Sequence, residues 1–540
     1  MGRVASVVAR ANKQLSVQFA AILLASSSLL SAVLGLVREW LLNQNYYDTY
    51  KAGIDAYQVA FTVPDFMFII LVSGALSVSF IPVFNQRLAS GNKKSAWEIS
   101  TSLINFMAIT TLIASVLIII FANYLVNIIT PGLSEQSREL ATAMMRVIAV
   151  NPFLFAISTV IASMQQAISK FTIFALAPSI YNIGIVIGTV FFTQGINIFG
   201  WQVFEGGIMG VALGVVLGSV MQLIVSSLGL IGLGFDYNFK IYWRNRGFKK
   251  VLSLLPARSL DQGADYLNSM VEANLASRMP SGTIRAYASA ITVHNMPINL
   301  IGIAISTAAF PQMTDQIANG EKKAFWRGLH GYIRAIVFLV LPIAAITYFG
   351  RGFVINFIKT GGDQLMADIL GGLALAIVFR CLYHPLARVF YAHQNTKTPL
   401  IVSVVAIGFN IIVSIIFTLC FNFGVMGLAW AQSLTALLEV LILGSILQKR
   451  YQKQDEAFDR EFASALAKMF FSMLIMSVFT YVFVQSFQLK TGEVGFWITF
   501  PKFMLITLLS FSIYLFVGWR LKLVEVSMFF DKIKKYFMKY

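Results

Sequence analysis

FIPVFNQRLASGNKKSAW, residues 80–97, and AFPQMTDQIANGEKKAFW, residues 309–326, share the pattern P-x8-G-x-K-K-x2-W. Pro82 pairs with Pro311, Gly91 with Gly320, Lys93-Lys94 with Lys322-Lys323 and Trp97 with Trp326, each at an offset of 229, for example 311 − 82. The shared positions are mostly not apolar, so chance similarity between greasy runs does not produce them. Further on, Asn182 pairs with Asn410 at 410 − 182 = 228, and GIMGVALG at Gly207 pairs with GVMGLAWA at Gly424 at 424 − 207 = 217. The falling offset implies a shorter connection in the second half. A fixed internal offset is the mark of a duplicated unit.

The surroundings of the repeat give its solvent. Hydrophobic residues make up 57% of the 540 and charged residues 12%, against about 25% charged in a soluble domain. Apolar runs long enough to cross a bilayer stand at 17–41, 56–86, 98–127, 139–168, 172–195, 206–233, 250–277, 284–317, 325–349, 365–391, 399–421, 425–448, 463–487 and 495–521. The reading is an all-α polytopic membrane protein of about 14 transmembrane helices. Pro64, Pro152, Pro178, Pro297, Pro342 and Pro501 fall within spans, which suits helices packed among helices. Gly74 and Pro297 are read as hinge or packing positions.

Helices 1–6 and 7–12 form two six-helix lobes. Six is even, so both lobes insert alike and are related by a pseudo-two-fold axis along the membrane normal, a layout of alternating-access transporters. The boundaries follow: a cytoplasmic amphipathic segment 1–16, an N-lobe 17–233, a C-lobe 250–448, two added helices at 463–521 and a basic tail 522–540.

The net charge of +17 does not point to nucleic acid, because the basic residues lie between apolar runs. They concentrate in the N-terminal, 2–3, 4–5, 6–7, 8–9, 10–11, 12–13 and C-terminal segments, including Arg87, Lys240, Arg244, Lys249, Arg327 and Arg450. The opposite loops hold few, Arg278, Arg285 and Arg351 among them. The positive-inside rule puts both termini in the cytoplasm. Cys381 and Cys420 lie in apolar runs without metal spacing, so they read as apolar fillers and no metal or other cofactor is expected.

Charges within spans are costly, about 2.5–3.5 kcal/mol each at the bilayer centre. On the seventh helix Arg258, Asp261, Asp265, Asn268 and Glu272 recur at intervals of 3, 4, 3 and 4, so they share one face. That stripe either lines a cavity and binds a coupling cation or protons, or pairs with itself and glues helices. On the tenth helix Arg380, His384 and Arg388 stand at i, i+4 and i+8. This basic face suits a pyrophosphate; the other reading has Arg380 pair with the acids of the seventh helix and Arg388 reach the headgroups. His294 reads as a packed polar residue.

Motifs along residues 20–448 carry a family likeness: VLGLVREW at 33–40, IDAYQVAFTVPDF at 54–66, SGALSVSFIPVF at 73–84, TPGL at 130–133, FALAPSIYNIGIVIG at 174–188, ISTAAFPQMT at 305–314 and ARVFYAHQNTKTP at 387–399. With six plus six plus two helices, the chain resembles the lipid II flippase MurJ family within the multidrug/oligosaccharidyl-lipid/polysaccharide exporter superfamily. The resemblance implies two lobes about a central cavity. It implies flipping of an undecaprenyl-pyrophosphate-linked peptidoglycan precursor from the inner to the outer leaflet of the bacterial plasma membrane. Helices 13 and 14 are then a groove for the lipid tail. Arg38 and Asp55 match the family's headgroup site. Other family charges are absent: Ala32, Phe68 and Thr292 stand where arginines are usual, and Ser73 and Asn295 where acids are usual.

The expected partner is a polyprenyl-linked lipid bound by a monomer in the membrane, with headgroup contacts from Arg38, Asp55, Arg380 and Arg388. Export of another polyprenyl-linked glycan or amphiphile is the alternative. A membrane glycosyltransferase or ligase would need carboxylates and histidine in sizeable outer loops, which the short loops here do not offer. A non-transporting scaffold relative is the remaining reading, motivated by the missing arginines.

Overall fold

The computed structural model describes residues 17–73, 80–198, 201–451, 460–489, 493 and 495–528. The segment 1–16, Gly74 and the end of the basic tail lie outside the described residues, as do the side chains of Arg258, Asp261 and Asp265.

Helices occupy every predicted span. The first is α1, Val17–Leu42. Then come α2 Lys51–Val72, α3 Lys93–Ile129, α4 Glu135–Ala167, α5 Thr172–Gln194 and α6 Met209–Leu228. The seventh, α7, is Arg246–Ser277. It is followed by α8 Thr283–Ala318, α9 Lys322–Phe349, α10 Gln364–Ala392, α11 Lys397–Cys420, α12 Val425–Tyr451, α13 Arg460–Ser486 and α14 Phe496–Arg520. Among the described residues, 12 of these are long and apolar enough to cross a membrane. The other two, α1 and α7, run for 26 and 32 residues.

The chain divides into two compact units, Met1–Arg285 and Ala286–Tyr540. The division falls after the first turn of α8, whereas the sequence repeat opens its second lobe at residue 250. The physical reason is packing. α7 lies against α2 and α3, with Gly263 facing Ile70 and Phe66 and with Phe248 and Val251 in one core with Phe84, Ile99 and Leu103.

In the first unit α1 packs on α5, α5 on α6, and α4 on α2, α3 and α6. The α5–α6 contact is backbone to backbone. A Cβ built on Gly184 would stand 2.2 Å from Gly218 Cα, and one on Gly188 would stand 2.3 Å from Gly214 Cα. Glycines four apart on facing helices permit this approach. The TPGL motif has a similar cause: Gly132 abuts Ser277 and Arg278 so closely that a Cβ would sit 2.5 Å from the Ser277 carbonyl oxygen. In the second unit α10 is central, flanked by α8, α9 and α12, and α13 and α14 pack on each other and on α9. Cys381 is buried there and Cys420 is exposed.

The repeat is visible in its turns. Gly91 and Gly320 take φ of 74° and 73°, a left-handed position that glycine fills without strain. Asn92 N donates to Arg87 O at 3.0 Å, and Glu321 N to Gln316 O at 2.8 Å. Lys93 and Lys322 each then open the next helix.

Some features were not anticipated. α2 begins at Lys51, ahead of the predicted start, and is π-helical over Ile69–Ser73; past residues 74–79, which lie outside the described residues, Ile81–Ala89 is again helical. α4 breaks between Ile148 and Asn151, where Pro152 cannot donate to the helix before it. A hairpin pairs Ile196–Ile198 with Trp201–Phe204. A short helix, Arg351–Ile358, precedes α10.

Candidate functional site

α1 carries Arg38 and Glu39 near its C-terminal end, at the close of an otherwise apolar helix, so both charges need partners inside the protein. Glu39 is 4% exposed. Its Oε1 accepts from Arg38 Nη2 at 3.1 Å, and its Oε2 accepts from Arg285 Nη2 at 2.6 Å. Arg285, counted with the loop charges in the sequence, is 1% exposed and is the largest fully buried side chain among the described residues. Its Nε donates to Asn43 Oδ1 at 2.8 Å and its Nη1 to Gln58 Oε1 at 3.2 Å. The guanidinium fork is thus filled by acceptors from α1, α2 and the π-helical turn Asn43–Tyr47.

Asp55 completes the network without meeting a side-chain cation. Its Oδ2 accepts from Gly282 N at 2.5 Å and its Oδ1 from Arg285 N at 2.8 Å. These are N–H groups at the start of α8, which have no helical partner of their own. Asp55 therefore caps α8 from a distant part of the chain, and with both oxygens engaged it is 2% exposed.

Arg38 is different. Its side chain is 25% exposed. Nη1 donates to Asn182 Oδ1 at 3.2 Å, and Asn182 is anchored through Nδ2 on Ser31 and on Pro178 O. Nε has no hydrogen-bond partner among the described residues. Arg38 is held in place yet retains donor capacity.

The second unit repeats this design on other helices. Arg380 of α10, with its side chain 29% exposed, donates through Nη1 to Glu439 Oε2 at 2.7 Å and through Nη2 to Gln432 Oε1 at 3.3 Å. Both partners are on α12. Glu439 is 3% exposed. Arg388, two turns on, reaches Thr307 Oγ1 at 3.3 Å and lies over the Phe310 ring at 5.2 Å. Asn410, the repeat partner of Asn182, donates to Thr435 Oγ1 at 3.1 Å. His294 is buried.

On α7, Asn268 Nδ2 donates to Glu272 Oε1 at 3.0 Å, and both residues are buried. Pro297 stands at the end of the α-helical part of α8, before the π-helical stretch Ile298–Ile303. Gly302 in that stretch lies so close to α10 that a Cβ would be 2.8 Å from Cys381 Cα. Cys381 Sγ also donates toward Pro297 O at 3.9 Å. No cluster of three or more His, Cys, Asp or Glu suited to a metal occurs among the described residues.

The sequence reading missed Glu39, Arg285 and Glu439. Each left a signal. Glu39 and Glu439 are carboxylates inside apolar runs, where every charge needs a partner, and Arg285 falls at the edge of a predicted span.

Residues 50–508 match the family described as lipid II flippase MurJ. The chain belongs to that family. It is 24% identical over 463 residues to the probable lipid II flippase MurJ of Buchnera aphidicola subsp. Acyrthosiphon pisum, covering 84% of this chain and 88% of the relative. It is 22% identical over 477 residues to the probable lipid II flippase MurJ of Borreliella burgdorferi, covering 87% and 90%. Among solved structures it is similar to a lipid II flippase MurJ in an inward closed conformation, with a TM-score of 0.74 and 23% identity over 95% of this chain and 99% of that one. It is also similar in fold to an inward-facing multidrug resistance MATE family transporter, with a TM-score of 0.64 and 15% identity over 80% and 99%. As a member of the family the chain is a multi-pass membrane protein and a lipid II flippase, a transporter and not an enzyme.

Two of the positions where family arginines are usual are committed elsewhere. Phe68 packs edge-on against Phe155 with ring centroids 5.5 Å apart. Thr292 Oγ1 donates to Ala288 O of its own helix at 2.9 Å.

Proposed function

We propose that the chain moves an undecaprenyl-pyrophosphate-linked peptidoglycan precursor from the inner to the outer leaflet by alternating access, as a monomer with both termini in the cytoplasm. The observation that carries the headgroup assignment is a pair of matched arginines, Arg38 and Arg380. Each sits within an apolar helix, each is roughly a quarter exposed, and each is oriented by one buried carboxylate and one amide. A guanidinium so placed is pre-oriented, and its remaining N–H groups suit a diphosphate. Arg388 adds charge on the α10 face. Asp55 caps α8 and so fixes the start of that helix. The lipid tail stays in the bilayer during passage, which avoids exposing it to water or burying the pyrophosphate in hydrocarbon.

The test is the amount of lipid II exposed on the outer leaflet of bacteria depleted of their own flippase and supplied with this chain. Restored exposure is expected. Arg38→Gln and Arg380→Gln are each expected to lower it by roughly tenfold or more, the equivalent of one charge-assisted hydrogen bond to the headgroup. Wild-type exposure in both variants would remove these arginines from the site. The absence of Arg at Ala32, Phe68 and Thr292 favours a second reading, another polyprenyl-linked glycan as cargo. No restored lipid II exposure by a chain shown to be folded in the membrane would select it.

A further inference from the structure

The short helix Ile81–Ala89, the start of α3 at Lys93 and the start of α7 at Arg246 meet around one pocket of the first unit. Its volume is about 360 Å³, and its walls hold Arg87, Lys94 and Arg246, one cation from each of the three elements. Glu98 and Asn245 stand beside them. None of these residues belongs to the network around Arg38 or to that around Arg380.

The frame of the pocket is fixed by neutral groups. Asn245 Nδ2 donates to Glu98 Oε2 and to Ser95 Oγ, each at 3.1 Å. The loop that leads into α7 is strapped to α3: Asn105 Nδ2 donates to Asn238 O at 2.8 Å, and Tyr242 N donates to Ser102 Oγ at 2.8 Å. Both helix starts are already capped, since Asn92 Oδ1 accepts from Ser95 N at 3.0 Å and Asn245 Oδ1 accepts from Gly247 N at 2.9 Å. Any pull on an anion therefore comes from side chains and not from vacant helix N–H groups.

The side chains of Arg87, Lys94 and Arg246 make no hydrogen bond or ion pair among the described residues. One carboxylate, Glu98, opposes the three of them in the wall. Like charges gathered round so small a volume repel one another, and an anion relieves that repulsion. Two of the three are arginines, whose forks match phosphate oxygens, and the lysine adds a point charge.

The turn itself does not require this charge, as its repeat in the second half of the chain shows. Gly91 and Gly320 share one φ, and Lys94 keeps a counterpart in Lys323. At the same offset of 229, however, Arg87 is replaced by Gln316 and Asn92 by Glu321. The excess of positive charge is thus a property of the first copy and not of the motif.

The neighbouring loop bears on where the ligand comes from. Tyr237, Phe239 and Trp243 are 47%, 88% and 53% exposed. Aromatic rings so presented suit the headgroup level of a bilayer, and lipid phosphates lie at that level.

We propose that this pocket binds a phosphate group, with Arg87 and Arg246 as fork donors and Lys94 as a point charge. The aromatic loop beside it favours a lipid headgroup as the source. The assignment is independent of the flipping reading, since it concerns a separate place.

The experiment uses the full chain in maltoside micelles, which contain no phosphate, at constant ionic strength. Inorganic phosphate is titrated and its phosphorus NMR line width followed. Saturable broadening is expected, with Kd on the order of 1 mM. Arg87→Gln and Arg246→Gln are each expected to weaken binding by roughly tenfold or more while the thermal midpoint holds, because neither side chain pairs with another. If one of them does not fold, the other decides. Lys323→Gln, at the repeat position of Lys94, is expected to bind as the wild type does. Dihexanoylphosphatidylglycerol is then added as a competitor. Reversal of the broadening supports a headgroup as the source, and no reversal supports soluble phosphate; the site stands in both cases. Absence of saturable phosphate binding to the wild type overturns the proposal. So does wild-type affinity in the folded arginine variants, or an equal loss in Lys323→Gln, which would mean that surface charge and not the pocket attracts the anion.

Discussion

Arg285 shows how much one residue can organise. It brings three acceptors from two helices and a turn onto one fork, and its backbone N–H is held by Asp55. Removing one partner of a buried ion pair leaves an uncompensated charge, whereas replacing both by apolar groups need not. Arg285→Met is therefore expected to destabilise the protein by about 3–5 kcal/mol. The double variant Glu39→Leu, Arg285→Met is expected to recover much of that loss. Unfolding of purified protein followed by fluorescence checks both. Equal losses in the single and double variants would mean the charges do not work as a pair. Arg38 was legible because it belongs to a quotable motif inside an apolar run. Arg285 was not, because sequence spacing cannot reveal that Glu39, 246 positions earlier, returns to meet it. It looked like one more charge at a loop edge.

Among the elements, α5 and α6 make the strictest demand on sequence. Their glycines let the two backbones touch, so any Cβ at Gly214 would meet Gly188 Cα at 2.6 Å. Gly214→Leu is expected to cost about 1–3 kcal/mol or more through overpacking. Gly408→Ala, in α11, makes the control, because a Cβ there meets nothing within 4 Å. It should be neutral or stabilising by about 1 kcal/mol. Folded yield and thermal midpoint of the two variants measure the contrast, and equal behaviour would refute the contact. The long helices themselves were legible to within a few residues, since continuous apolar length is a direct physical signal. The short helix Arg351–Ile358 was not. Its eight residues are too few to span, and what stabilises it is packing of Phe353, Ile355 and Ile358 in the second unit. The hairpin at Ile196–Phe204 escaped for the same reason, being shorter than any periodicity window.

At the scale of the whole molecule, two units carry the same idea in different residues: a partly exposed arginine set by a buried carboxylate. Such a pair can hold a headgroup, but it supplies no energy for net movement. The sequence has no nucleotide-binding motif, so the natural source is an ion gradient or the membrane potential. One charge crossing 100 mV gains about 2.3 kcal/mol, a bias of roughly fifty-fold. We propose that the groups that carry it are those of the α7 polar stripe read from the sequence, Asp261 and Asp265 among them. Asn268 and Glu272 bond to each other there, which makes Asp261 and Asp265 the residues to neutralise. Collapse of the potential with an ionophore is expected to lower lipid II exposure by the wild type. The variant Asp261→Asn, Asp265→Asn is expected to insert normally, to give low exposure and to be indifferent to the ionophore. Should the double variant keep full, potential-dependent exposure, the coupling charge must lie elsewhere, and α7 would be left with the role of helix glue.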